Sequence, residues 1–247
     1  MIDIKSKREI ELMRVAGKIV AELFIKLEEL IKPGATTLDL DKEAYAFIKA
    51  YKAEPAFLGY GGFPATLCTS VNEVLIHGIP NRKPLQDGDI VSIDVGAVYD
   101  GYYSDAARTY PVGKISEEAK RLLKVAEQSF AEGLKFAQAG NHLGDISAAI
   151  GDYLASQGYQ VPLEYTGHGI GSKLHEAPAI PNYGIKGSGV RLKAGMALAI
   201  EPMVLSGSKE TRVASDKWAV IAVDRALTAH YENTVLITED KYEILTI

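Results

Sequence analysis

The sequence predicts a mixed α/β chain made of two similar halves, each a pair of helices followed by strands. Three observations carry this expectation. Apolar positions recur at helical spacing in two separate stretches. Each stretch gives way to short apolar runs broken by Gly, Pro and Asn, the texture of strands and turns. A short pattern also occurs twice: Gly88 to Asp94 and Gly195 to Glu201 both read as glycine, an apolar strand, then a carboxylate. Downstream, Asp105 and Glu232 each open a further strand-like run. One such match is open to chance, but two in the same order point to halves that share a core.

Met13, Ala16, Val20, Leu23, Leu27 and Leu30 form one apolar stripe on a long helix within residues 1–32, which Pro33-Gly34 stops. The stripe ends after a few turns, so it reads as a core-facing helix packed on the rest of the chain, not as a coiled-coil seam. A second helix is expected from about Leu38 to Tyr51 with Thr37 as N-cap. Strand texture fills Pro55 to Pro111. Helices return at about Glu117–Gln138, with Ser116 as cap and Gly140 beyond the end, and at about Ile146–Gln157, with Asp145 as cap and Gly158 closing it. Strands resume from Val161. No long linker or low-complexity segment interrupts the chain, so residues 1–247 are expected to form one domain.

Composition narrows the function classes. Of 247 residues, 47% are hydrophobic and 24% charged, which is ordinary for a soluble globular protein. The net charge of -5 argues against nucleic acid or an anionic membrane as the main partner. Cys68 is the one cysteine, so no intramolecular disulfide can form, as suits a reducing cytosol. The charged N-terminus lacks the apolar core of a signal peptide, and no apolar run approaches the roughly 20 residues that span a bilayer. A cytoplasmic protein is expected.

The candidate chemistry lies in four carboxylates and one histidine. In IVSID, Ile90, Ser92 and Asp94 share one strand face and Val91, Ile93 and Val95 the other. Asp100-Gly101 is a strong hairpin turn signal. As a two-residue turn it sets Asp94 opposite Ala107, with Asp105 a diagonal neighbour on the same face. Shifted back by one residue, it sets the two aspartates directly opposite each other. Either register aims two like charges at one point, and a cation is the natural resolution. A single Asp-rich hairpin is more often solvated, but this one has company. His168 sits among glycines in TGHGIG, and Glu201 and Glu232 close or open apolar runs where a carboxylate needs a partner.

With their contexts SIDVG, YSDAARTY, TGHGIG, AIEPM and YENTVLIT, these five residues resemble the metal ligands of the methionine aminopeptidases. The likeness runs over essentially the whole chain, including NEVLIHGIP and TGHGIGSKLHE. It implies the pita-bread α/β (α+β) fold: pseudo-twofold halves with a curved antiparallel sheet covered by helices, which would account for the internal repeat. It also implies that Asp94 chelates one of two divalent ions, that Asp105 and Glu232 bridge both, and that His168 and Glu201 complete the other. Oxygen-rich ligation with one imidazole suits Mn, Fe(II), Co or catalytic Zn. Two such ions can share and activate a water.

By the same resemblance, His77 hydrogen-bonds the substrate amide, His175 steadies the scissile carbonyl, and Glu201 shuttles a proton. His142 and His230 match no catalytic position and read as structural or surface residues. Phe57, Tyr60, Phe63, Cys68, Leu174 and Trp218 match the methionine pocket, with Leu174 standing where many relatives carry an aromatic residue. Asn72, Val74 and Thr228 resemble a monovalent-cation site. The implied function is removal of the initiator methionine from nascent polypeptides with a small second residue, by a monomer that meets its substrates near the ribosome. The short length and the absence of a large insertion resemble the bacterial type I form. Two other readings share the fold: a proline-specific aminopeptidase or prolidase, which usually carries a large N-terminal domain, and a non-catalytic binding module, which typically loses ligands.

Overall fold

In a computed structural model, which describes residues 2–247, helix α1 spans Lys7–Leu30. Met1, the start of the stretch assigned to the first helix, lies outside the described residues. Ser6 caps α1 through a reciprocal box: its N–H donates to the Glu9 carboxylate at 2.7 Å and its hydroxyl accepts from the Glu9 N–H at 3.4 Å. Helix α2 (Thr37–Ala50) starts one residue earlier than expected, and Thr36 rather than Thr37 is its N-cap. The Thr37 hydroxyl is engaged elsewhere, exchanging hydrogen bonds with the backbone of Asn81.

Helix α3 (Glu117–Leu134) has the expected Ser116 cap but ends short of Gln138. There the chain tightens: Phe136 and Ala137 bond three residues back, and the Asn141 side-chain amide donates to the Phe136 carbonyl. Helix α4 (Leu143–Ser156) begins at His142, not Asp145. Asp145 lies inside the first turn, where its carboxylate accepts from the N–H groups of His142 and Gly187. A cap can act from the third helical position as well as from outside the helix.

Strands β1 (Glu54–Pro55), β2 (Leu67–Val71), β3 (Val74–Ile76), β4 (Ile90–Tyr99) and β5 (Tyr102–Pro111) belong to the first half. After α3 and α4 come β6 (Gly167–Gly169), β7 (Glu176–Ile180), β8 (Ala197–Ile200), β9 (Met203–Leu205) and β10 (Thr211–Val213). The chain closes with β11 (Val220–Ala222), β12 (Thr228–His230), β13 (Asn233–Ile237) and β14 (Tyr242–Ile244). Every pairing among them is antiparallel.

Strand β4 is flanked by β5 on one edge and by β1 and β2 on the other, while β8 lies between β13 and β6. The β4–β5 hairpin takes the two-residue register, with Tyr99 opposite Tyr102 and Asp94 opposite Ala107. Both turn residues have positive φ, Asp100 at 46° and Gly101 at 82°, as a type I′ turn requires.

Each half buries its helices on its own sheet face. Ile19, Leu23 and Leu27 of α1 and Leu40 and Ile48 of α2 pack on Val91, Ile93 and Val95, the face opposite Asp94. Leu122 and Phe130 of α3 and Ile146 and Ile150 of α4 pack on Leu198, Ile200, Val235 and Ile237. This is the duplicated antiparallel architecture that the resemblance implied. The halves join where the buried Thr234 hydroxyl accepts from the Asp105 N–H and donates to the Asp105 carbonyl, both at 2.9 Å.

Candidate metal centre and apolar cavity

The two repeated glycines set up corresponding carboxylates. Gly88 and Gly195 both hold positive φ, 96° and 89°, and each stands two residues before an apolar strand. Asp94 lies on β4 and Asp105 on its partner β5, while Glu201 directly follows β8 and Glu232 directly precedes its partner β13. His168 comes from β6, whose glycines let neighbouring backbone approach. A Cβ at Gly167 would meet the Ala199 carbonyl at 2.5 Å, and one at Gly169 the Ala177 carbonyl at 2.2 Å.

The geometry is tight. His168 Nε2 lies 3.6 Å from a Glu201 oxygen and 4.0 Å from an Asp105 oxygen. Ligand atoms of Asp105, His168 and Glu232 fall within 4.8 Å of one another, and so do those of Asp94, His230 and Glu232. Glu232 belongs to both groups. Of the two readings the sequence leaves for His230, structural or surface, the surface one does not hold: it is buried, and its Nε2 lies 3.4 Å from Glu201 and 3.8 Å from Glu232. His230 and Glu232 stand two residues apart in extended chain, so strand alternation alone would have put them on one face.

The electrostatics of the bare protein are unfavourable. Lost hydration, reinforced by the neighbouring carboxylates, drives Asp94 and Glu232 well above the ordinary carboxylate range. Glu201 is raised the same way, by burial and then Asp105. Burial lifts Asp105 to about 7. The imidazoles move oppositely: burial and then the His175 charge lower His168 and His77 to about 4, and burial lowers His230 to about 3.

All three are therefore neutral at pH 7 and able to offer a lone pair. Asp94 Oδ1, Asp105 Oδ1, Glu232 Oε1 and His230 Nε2 have no hydrogen-bond partner among the described residues. Buried oxygens that lack donors and repel one another suit divalent cations, which would supply the missing positive charge. The donor set fits.

Beside the carboxylates is a cavity of about 170 Å³, into which His77, His168, His175 and the carboxylates Asp94, Asp105, Glu201 and Glu232 open. Its apolar wall is Phe57, Tyr60, Phe63, Cys68, Leu174 and Trp218. Phe63 meets Trp218 edge-on, with ring centroids 5.1 Å apart. Pockets for drug-sized ligands run to roughly 300–1,000 Å³, so this space suits one side chain. Cys68 lies opposite Asp94 in the β2–β4 ladder, at the meeting of wall and charge, and burial raises its thiol pKa. Leu174 fills its place as a buried aliphatic residue.

His77 sits at the tip of a turn with φ 60°, a left-handed conformation uncommon for a residue with a Cβ. The next residue explains how it is held. A Cβ on Gly78 would meet the Thr69 carbonyl at 2.1 Å, so only glycine lets the turn press against β2. Away from the cavity, Asn72, Val74 and Thr228 also converge: the Thr228 hydroxyl lies 2.9 Å from both the Asn72 and the Val74 carbonyl oxygen. The Asn72 carbonyl also accepts from the Thr228 N–H at 2.9 Å.

Carboxylates crowded against neutral imidazoles, beside a small apolar cavity, define the class: a metal-dependent hydrolytic centre. The profile of Metallopeptidase family M24 matches residues 11–239. Methionine aminopeptidase of Clostridium acetobutylicum is 54% identical, the match covering 100% of this chain and 99% of that protein. Methionine aminopeptidase 1 of Bacillus subtilis is 50% identical with the same coverage. The crystal structure of methionine aminopeptidase from Rickettsia prowazekii superposes with a TM-score of 0.98 at 42% identity, covering 100% of both chains. Prolidase from Pyrococcus furiosus reaches a TM-score of 0.80 at 27% identity, and this chain covers 65% of its length. The chain belongs to Metallopeptidase family M24, among its methionine aminopeptidases.

Proposed function

We propose that this enzyme removes the N-terminal methionine from nascent polypeptides whose second residue is small, as a single catalytic domain working in the cytoplasm. The observation that carries the reading is the contact between charge and cavity: Cys68 and the aromatic wall adjoin Asp94 and Asp105 in one space sized for one side chain. A thioether packs well against ring edges, which the Phe63–Trp218 pair offers. Among the described residues no helix is long and apolar enough to cross a membrane.

Asp94, Asp105, His168, Glu201 and Glu232 would hold two divalent ions, with Mn, Fe(II), Co and Zn all compatible with oxygen-rich ligation. When bound, the ions lower the pKa of water and stabilise negative charge developing on the scissile carbonyl. Glu201 accepts a proton from the attacking water and returns it to the leaving amine. Neutral His77, fixed at its turn, hydrogen-bonds the substrate amide.

His175 has its Nδ1 2.8 Å from the Tyr60 hydroxyl. With that hydroxyl donating, the ring proton sits on Nε2, available to the scissile carbonyl. Asn72, Val74 and Thr228 would cradle a monovalent cation that stiffens the first half, their oxygens standing 2.9 Å apart around the Thr228 hydroxyl.

Turnover of a Met-Ala-Ser tripeptide with added Mn or Co tests the reading. Release of free methionine is expected, with a marked loss on Met-Lys-Ser. No release with any divalent metal would overturn it in favour of a binding module, and preference for an X-Pro dipeptide would point to a prolidase-like activity. Co-sedimentation with translating ribosomes and the mass in solution would check the expected monomer acting near the ribosome.

A further inference from the structure

The segment before α1 is tied into the site. The Lys5 N–H donates to the Gly195 carbonyl at 2.8 Å, which anchors the segment to the glycine that launches β8. The Lys5 side chain, only 3% exposed, then runs over Gly171 to Glu176, where Nζ lies 2.6 Å from Oε2. Gly171 is built around this crossing: a Cβ there would meet Lys5 Cε at 2.2 Å and Nζ at 2.6 Å. The other Glu176 oxygen accepts from the Ser172 hydroxyl at 3.3 Å and the Lys173 N–H at 3.1 Å. One carboxylate thus gathers the loop 171–176 and is itself held by one buried ammonium. The same loop carries Leu174 and His175.

We propose that Lys5 is a positioning residue for His175: through Glu176 it fixes the loop that aims the imidazole into the cavity, so the N-terminal segment is part of the catalytic apparatus. His175 is constrained from both sides. Tyr60 meets its Nδ1 above, and Glu176 follows it directly in the chain below. On the far side of the loop the Tyr103 N–H donates to the Gly171 carbonyl at 2.8 Å, the Gly171 N–H donates to the Lys173 carbonyl at 3.1 Å, and β6 pairs Gly169 with Glu176, so the backbone fixes the ends of the loop and the Glu176 carboxylate is left to Lys5. Without Lys5, Glu176 would be drawn toward water and the loop with it. The imidazole would then lose its aim while the carboxylate cluster, carried on β4, β5, β8 and β13, kept its geometry.

The inference rests on the aminopeptidase reading, and its test separates the two. Lys5→Met should lower kcat on Met-Ala-Ser by roughly 10- to 100-fold with KM and metal content little changed, as a misaimed group far from the mutation would. In a His175→Ala background the same substitution should change kcat by less than about twofold, because the group it positions is gone. Lys5→Met with Glu176→Gln removes both buried charges, so the unfolding midpoint should recover while kcat stays low. A kcat that recovered along with stability, or an undiminished Lys5→Met effect without His175, would reduce Lys5 to a structural role and overturn the proposal. A readout free of turnover is tryptic cleavage after the exposed Lys173 in the metal-loaded protein. It should accelerate in Lys5→Met, and an unchanged rate would sink the latch even if the wild type released no methionine and the aminopeptidase reading itself fell.

Discussion

Ala107 and Glu232 exchange backbone hydrogen bonds across the join between the two halves: the Glu232 N–H donates to the Ala107 carbonyl at 2.9 Å, and the Ala107 N–H donates back at 3.4 Å. Asp105 lies two residues before Ala107 and therefore on the same strand face. The exchange thus sets a carboxylate from the first half beside one from the second. The site exists only where the halves meet, and each half alone supplies part of its ligands.

Asp105→Ala should lose metal as well as activity. Asp105 is buried, one of its oxygens lacks a partner, and the other is 4.0 Å from His168 Nε2. Removing it deletes a donor that faces both halves. Calorimetric titration should show fewer bound ions or affinity weakened by at least about 100-fold, a loss as large as supporting residues alone produce. Two ions bound at wild-type affinity would contradict a bridging role.

The metal-stripped protein should lose stability as pH rises. Burial raises Asp94, Asp105, Glu201 and Glu232, with Asp105 at about 7, and the neighbouring carboxylates add to the rise at Asp94, Glu201 and Glu232. A carboxyl whose folded pKa exceeds its unfolded value favours the folded state fully below the unfolded pKa, and that contribution is lost as pH rises through the folded pKa. Thermal unfolding of chelator-treated protein should therefore show a falling midpoint between about pH 6.5 and about pH 8, above the range in which the depressed imidazoles of His77, His168 and His230 act in the opposite sense. Glu232→Gln, which keeps the shape and removes one titrating group, should flatten the slope. Cation-loaded protein should lack the decline, and an equal decline in both forms would show that these groups are not its source.

Much of this centre was legible because short-range rules governed it. The Asp100-Gly101 turn set the hairpin register, and the register set the relation of Asp94 to Asp105. The repeated glycine–strand–carboxylate pattern placed the two halves. What the sequence hid depended on distant partners. Thr37 is not a cap because Asn81 occupies its hydroxyl, and Asp145 caps from inside its helix while also holding Gly187. His230 looked ordinary because its neighbours Glu201 and Glu232 meet only in three dimensions, although its spacing from Glu232 was a usable clue. Lys5, one charge among many near the N-terminus, gave no signal before its crossing of Gly171 was seen.

His77→Ala should slow turnover and spare the metal. The imidazole lines the cavity but belongs to neither group of candidate ligands, and burial keeps it neutral near pH 7. A lost hydrogen bond or proton-transfer partner should cost roughly 10²- to 10⁴-fold in kcat. Metal analysis of the purified variant should match wild type, and depletion there would move His77 among the ligands.

Arg108→Met should weaken the join itself. The guanidinium donates to the carbonyls of Ala107 and Glu232, to Asn233 Oδ1 at 2.6 Å and to the Thr246 carbonyl at 3.5 Å. It also lies against the rings of Phe24 and Tyr231, 5.2 and 4.5 Å from their centroids. One residue thus ties β5, the start of β13, α1 and the C-terminal segment. Methionine replaces some of the packing and none of the donors, leaving the Ala107 and Glu232 carbonyls with only the backbone bonds they exchange. Hydrogen bonds from a charged group contribute about 1.5–3 kcal/mol each, but water reaches part of this site, so a total loss of about 3 kcal/mol is expected. Arg108→Lys should recover less than half, since an ammonium cannot span the carbonyls of both halves as the planar fork does. Urea unfolding of the metal-loaded proteins measures both. If Arg108→Lys proved as stable as wild type, positive charge alone would suffice at this position, and the fork geometry would not be what holds Asp105 and Glu232 together.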